Sequence, residues 1–90
     1  MRQNHHPVVR QQIRYSSSEM MYLEVASNEV RCYLDHSPSR ASRWSFDQVL
    51  AASDEDIFDA EVRTLFSAEQ IDEVRAEVQR RVAFKIPEDG

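Results

Sequence analysis

The only glycine of this 90-residue chain is Gly90, and that scarcity removes several kinds of chemistry. A Gly-rich phosphate loop, a serine nucleophile elbow and a tight calcium loop all need glycine where the backbone turns sharply or meets a ligand closely. Cysteine is equally rare: Cys32 stands alone, which excludes an internal disulfide and a multi-thiolate zinc site. Lysine is confined to Lys85, the other cations being Arg. With abundant Ala, Val and Asp, that bias points to a GC-rich bacterial, phage or mobile-element gene. No apolar run approaches the roughly 20 residues of a membrane-spanning helix. The opening MRQNHHPVV lacks the apolar centre of a secretion signal, so the expectation is a cytoplasmic protein that does not engage a membrane.

What remains suits one small domain. A hydrophobic content of 41% is enough for a single core, and a chain this short buries only roughly 60–65% of its unfolded surface. Added stability from a protein partner, or from pairing with a second copy, is therefore in prospect. Charge is unevenly shared. Residues 1–45 carry six cations against four acids, and residues 46–90 carry five against twelve, which together give the net −5.

The segment Met20–Asp35, MMYLEVASNEVRCYLD, has the period-two pattern of a β-hairpin. With Ser27 and Asn28 as the turn, Val25 falls opposite Val30, Leu23 opposite Cys32 and Met21 opposite Leu34, which makes one face wholly apolar. The other face pairs Tyr22 with Tyr33 and Glu24 with Arg31. A slip of one residue would mix the two faces, so the register is well specified. Upstream, residues 8–15 alternate Val9, Ile13 and Tyr15 with Arg10 and Arg14. They add a third strand, with Ile13 beside Met21 and Val9 beside Val25, and Gln11 left next to Leu23. Residues 1–7 read as a tail, and Asp35–Arg43 as a polar linker broken by Pro38.

After Trp44 the period becomes helical. Ser45 and Gln48 have capping-box spacing, with Trp44 and Val49 in the staple positions, which predicts a helix over about 46–52. Ser53 caps a second predicted helix whose first turn holds Asp54, Glu55 and Asp56. Phe58, Val62, Leu65 and Phe66 form its core stripe. Ser67 with Gln70, and Phe66 with Ile71, repeat the box and staple before a third helix with Ile71, Val74, Val78 and Val82 on one side. Glu77 and Arg81 are a favourable i,i+4 pair there, and Pro87 closes the helix before the acidic tail 87–90. The expected fold is α+β: a three-stranded antiparallel β-meander followed by three helices packed on one face of the sheet, as a single domain over 8–86.

Chemistry-bearing residues are few. Cys32 and His36 suggest a nucleophile and base, but four extended residues span roughly 13 Å, too far for a dyad. His5 and His6, with Asp35 or His36, could complete a metal site, yet adjacent histidines before a proline read as tail. Asp54, Glu55, Asp56 and Asp59 could hold a cation, although a helix start already accounts for the first three. No catalytic residue, metal or cofactor is assigned.

Two surfaces are better candidates. The acids Asp54, Glu55, Asp56 and Asp59, extended by Glu61, Glu69, Asp72, Glu73 and Glu77, suggest a negative surface for a partner's basic groove. Phe84, off the helix stripe, offers an apolar anchor beside Ile86, and Trp44 is a second one. Alternatively, Tyr22, Tyr33, Arg31 and Arg14 on the open sheet face could stack single-stranded nucleic acid, against which the chain's acidity works. The expected function is a small non-enzymatic interaction or regulatory protein acting through protein–protein contact. The alternative is a nucleic-acid-binding module, and an enzyme completed at a dimer interface ranks third.

Overall fold

The computed structural model describes residues 9–85, the side chains of 84 and 85 excepted. The tails read at 1–7 and 87–90, His5, His6 and Ile86 lie outside the described residues. Four strands, Val9–Arg14 (β1), Met20–Val25 (β2), Glu29–Leu34 (β3) and Ser42–Ser45 (β4), form one antiparallel sheet in sequence order. Three helices follow, Phe46–Ala51 (α1), Ala60–Leu65 (α2) and Ala68–Lys85 (α3). The α+β class is as the sequence implies; the sheet has four strands where the sequence reading has three.

The central hairpin adopts the register set by its apolar pattern. Val25 faces Val30, Leu23 faces Cys32, Met21 faces Leu34 and Tyr22 faces Tyr33. On the other side β1 places Ile13 against Met21, Val9 against Val25 and Gln11 against Leu23. The Ser27–Asn28 loop closes with the Ala26 amide donating to the Glu29 carbonyl at 2.8 Å. Neither loop residue takes a positive φ, so this is not one of the mirror-image turns usual in tight hairpins. The Ala26 carbonyl instead accepts from Arg81 Nη1 at 3.0 Å, which ties the loop to α3.

β4 is the first departure from expectation. Residues 42–45 pair with β3, Trp44 opposite Val30 and Arg43 opposite Arg31, so the stretch read as linker ends in a strand. Pro38–Arg40 form a single 3₁₀ turn before it. A four-residue strand with one apolar side chain has no period to read. It forms because β3 otherwise presents an unpaired edge and because Trp44 lies edge-on to Phe58, ring centroids 4.9 Å apart.

The second departure is the helix read from Ser53. Residues 54–58 form turns rather than helix, and α2 begins only at Ala60 behind the cap residue Asp59. The cause is Phe58, which takes φ 59°, a left-handed conformation no continuous α-helix accommodates. For a bulky residue this costs on the order of 1–3 kcal/mol, offset by burying the Phe58 ring against Trp44. Arg63 fixes the bend: its Nη1 donates to the carbonyls of Ile57 at 2.9 Å and Phe58 at 2.8 Å. With α2 so short, Leu65 leaves the expected stripe and is exposed, while Phe58, Val62 and Phe66 remain buried.

α1 and α3 start as their sequences dictate. The Ser45–Gln48 and Ser67–Gln70 boxes both form reciprocally, at 2.8–3.1 Å. Val74 and Val78 are fully buried and Ile71 nearly so, on the stripe that α3 lays over β1 and β2. One core joins Met21, Leu23, Val25, Val30 and Cys32 of the sheet to Val49, Ile57, Phe58, Val62, Phe66 and the α3 valines. The helices thus cover one sheet face, and among the described residues no element covers the other.

Candidate functional site

The connection between α1 and α2 carries the acidic group. Asp54, Glu55, Asp56 and Asp59 are all exposed there, as is Glu61 in the first turn of α2. Asp54 is bridged to Arg75 Nη1 of α3 at 2.8 Å, Asp56 accepts from Ser53 Oγ at 3.1 Å, and Glu61 accepts from the Tyr15 hydroxyl at 3.3 Å. The Glu61 charge pushes the Tyr15 phenol above its ordinary range. Among the described residues, Asp54 is the only one of the five acids in an ion pair. A cleft of about 230 Å³ lies between this connection and the start of α3, lined by Asp54, Ile57, Arg63, Ala68, Ile71 and Asp72.

The wider acidic surface is not continuous. Glu69, Asp72 and Glu73 are exposed on α3, but Glu77 is buried and held by Arg80 and Arg81. Glu77 therefore belongs to the interior. Phe84 is carried by the last turn of α3, and its exposure lies outside the described residues. Trp44 packs against the core rather than standing free as an anchor.

The uncovered sheet face gathers Tyr22, Tyr33, Arg31 and, at its margin, Arg14. The Tyr22 and Tyr33 rings lie 5.4 Å apart and tilted by 39°, and the Arg10 guanidinium sits over Tyr22, 4.8 Å from its centroid. Glu24 and Glu29 offset part of the positive charge that Arg10, Arg14, Arg31 and Arg43 bring to this face. Tyr33 donates to Glu24 Oε1 at 2.7 Å, and burial followed by that carboxylate pushes its phenol up. Arg10 reaches Glu24 at 3.9 Å. Arg31 turns from its cross-strand neighbour Glu24 to Glu29, at 2.8 Å, and Arg43 joins Glu29 at 3.7 Å. Glu29, two places along the same strand, shares the Arg31 face and competes successfully for it. Arg14 is exposed and forms no ion pair among the described residues.

A third group joins residues far apart in sequence. Glu19, just before β2, and Asp35 and His36, just after β3, bring one ligating atom each within 4.8 Å of one another. Glu19 is absent from the sequence-derived candidates. The hairpin register does contain it, since two further steps beyond Met21–Leu34 set Glu19 opposite His36.

Comparison with models of known protein families, with curated proteins and with solved structures finds no match. No helix among the described residues is long and apolar enough to cross a membrane.

Cys32 lies on the helix-covered face, buried. Burial first, then the charges of Glu61 and Asp59, pushes its thiol up to about 11. The thiolate is the reactive form, so near pH 8 a disulfide reagent should label the native protein on the order of 10²-fold more slowly than the urea-unfolded chain. Equal rates, followed by thiol-release absorbance, would mean that the side chain is open to solvent.

Proposed function

We propose that this protein is a small non-enzymatic interaction or regulatory module that docks its α1–α2 connection against a basic surface of a protein partner. The observation that carries the reading is the charge balance of the two candidate surfaces. Among the described residues, three of the four acids on the connection, and Glu61 just after it, form no ion pair, whereas on the sheet face three of the four arginines, Arg10, Arg31 and Arg43, are each in an ion pair with Glu24 or Glu29. Unbalanced charge on a fixed backbone steers a complementary partner without a reorganisation cost. The backbone is fixed here by Arg63. The raised Cys32 thiol is opposite in direction to that of an activated nucleophile.

The test is capture from nuclease-treated lysate with the full chain as bait. Reversing Asp54, Glu55, Asp56 and Asp59 to Lys should abolish capture of the partner, and raising salt should weaken capture by wild type. Undiminished capture by the reversed variant would defeat the reading. The second reading, single-stranded nucleic acid on Tyr22, Tyr33, Arg31 and Arg14, is favoured by the uncovered Tyr pair. It requires saturable oligonucleotide binding at low salt, weakened by about 1–3 kcal/mol for each tyrosine replaced by Ala. Docking through the acids instead leaves that titration flat.

A further inference from the structure

We propose that Glu19, Asp35 and His36 bind one divalent transition-metal ion of the zinc class at the open end of the β2–β3 ribbon. The backbone brings them together. The Asp35 amide donates to the Met20 carbonyl at 3.1 Å, and the Glu19 carbonyl accepts from the amides of Tyr15 at 2.9 Å and Ser16 at 3.1 Å. All three ligands thus stand on the rim of the sheet.

The donor set is one imidazole nitrogen and two carboxylates. Hard ions such as Ca²⁺ and Mg²⁺ take oxygen ligands, whereas an imidazole selects Zn²⁺ and its neighbours. Three protein ligands with water in the fourth position is a common zinc arrangement. One ion takes one imidazole nitrogen, and the two nearest approaches use different ones, His36 Nδ1 at 3.6 Å from Glu19 Oε2 and Nε2 at 3.8 Å from Asp35 Oδ1, both beyond hydrogen-bond range. Donors around a tetrahedral zinc stand roughly 3.3–3.5 Å apart, given bonds of about 2.0–2.2 Å. The spread of up to 4.8 Å exceeds that spacing by roughly 1.3–1.5 Å, a gap that side-chain rotation closes. The His36 side chain, 61% exposed, is free to supply it.

An independent observation points the same way. Asp35 Oδ1 is shielded from solvent and has no hydrogen-bond partner. A carboxylate oxygen deprived of both water and donors is costly, and a cation shared with Glu19 and His36 satisfies it. The residues are distinct from those of the proposed docking connection, so either proposal can fail without the other.

The test titrates the full chain with Zn²⁺ in competition with a chromophoric chelator. One equivalent is expected, weakened about tenfold or more in His36→Ala and in Glu19→Gln, and unchanged in the double variant His5→Ala/His6→Ala. Zn²⁺ should also raise the melting temperature of wild type and not that of His36→Ala, because an ion that binds only the folded state stabilises it. Equal melting of the metal-free proteins separates lost binding from lost folding, and Glu19→Gln decides if His36→Ala does not fold. No competition with the chelator overturns the proposal. So does binding that survives in His36→Ala or disappears in the His5/His6 variant.

Discussion

Leu23→Ala should lower the unfolding free energy by about 3–4 kcal/mol, while Leu65→Ala should change it by less than about 1 kcal/mol. Leu23 is fully shielded at the centre of the sheet face that the helices cover, and Leu65 is 37% exposed at the end of α2. Deleting three carbons from Leu23 forfeits their transfer from water and leaves a cavity that β2, hydrogen-bonded to β1 on one side and β3 on the other, can collapse into only in part. A domain of this size is stable by roughly 5–13 kcal/mol, so the loss is a large share of the total. Urea denaturation of both variants at neutral pH is the measurement. The contrast is sharp because a continuous helix from Ser53 would bury both leucines and make both substitutions expensive. Similar losses would place Leu65 in the core after all.

That contrast also shows what kind of information the sequence holds. The hairpin was legible because its apolar residues fall on one face in only one register, and that register, read from Val25, Leu23 and Met21, is the one formed. The two capping boxes were legible because their reciprocal bonds depend on four consecutive residues alone. β4 was not, since SRWS becomes a strand only when β3 offers it an edge. Nor was the bend at Phe58. Left-handed backbone is announced by Gly or Asn, and here a buried aromatic holds it because Trp44 and Arg63 constrain it from outside the segment. The spacing of Phe58, Val62, Leu65 and Phe66 imitates a helix for the same reason that three of the four are buried. They face one core, but not from one helix.

The candidate surfaces divide along the same line. Exposure of Asp54, Glu55, Asp56 and Asp59 follows from composition and is legible. Whether a surface charge is balanced depends on side-chain choices that alternation cannot fix, as Arg31 shows by turning from Glu24 to Glu29. Glu19 was hidden because Ser16–Ser18 reads as a polar turn, although the turn delivers it opposite His36. Long-range pairs such as Asp54 with Arg75 and Tyr15 with Glu61 have no sequence signal at all.

Glu77 illustrates the point with the largest energetic consequence. As one acid among nine it looks like part of a solvated face, yet it is 7% exposed. Arg80 meets one carboxylate oxygen at 2.7 Å and Arg81 meets the other at 2.8 Å. Arg81, nearly as buried as its partner, spends another nitrogen on the Ala26 carbonyl, so the carboxylate also orients the contact between α3 and the hairpin loop. Glu77→Ala removes the charge that offsets a buried guanidinium and should cost about 3 kcal/mol, or a fall in melting temperature of about 12–24 °C. Replacing Glu77 and Arg81 together by Leu should recover part of the loss, because neither member of the pair is then buried without the other, but not the bond to Ala26. Acid provides an independent check. Burial alone would push the Glu77 carboxyl up, but the hydrogen bonds and charges of Arg81 and Arg80 outweigh it and hold the group below the usual carboxylate range. A depressed folded value means that the contribution is complete above the unfolded carboxyl pKa of roughly 4.3 and is lost as pH falls through the lower folded value. The stability gap between wild type and Glu77→Gln, measured by urea denaturation, should therefore be constant from neutral pH down to about pH 5 and shrink below it. A gap that persists undiminished into strong acid would mean that Glu77 acts through packing rather than through its charge.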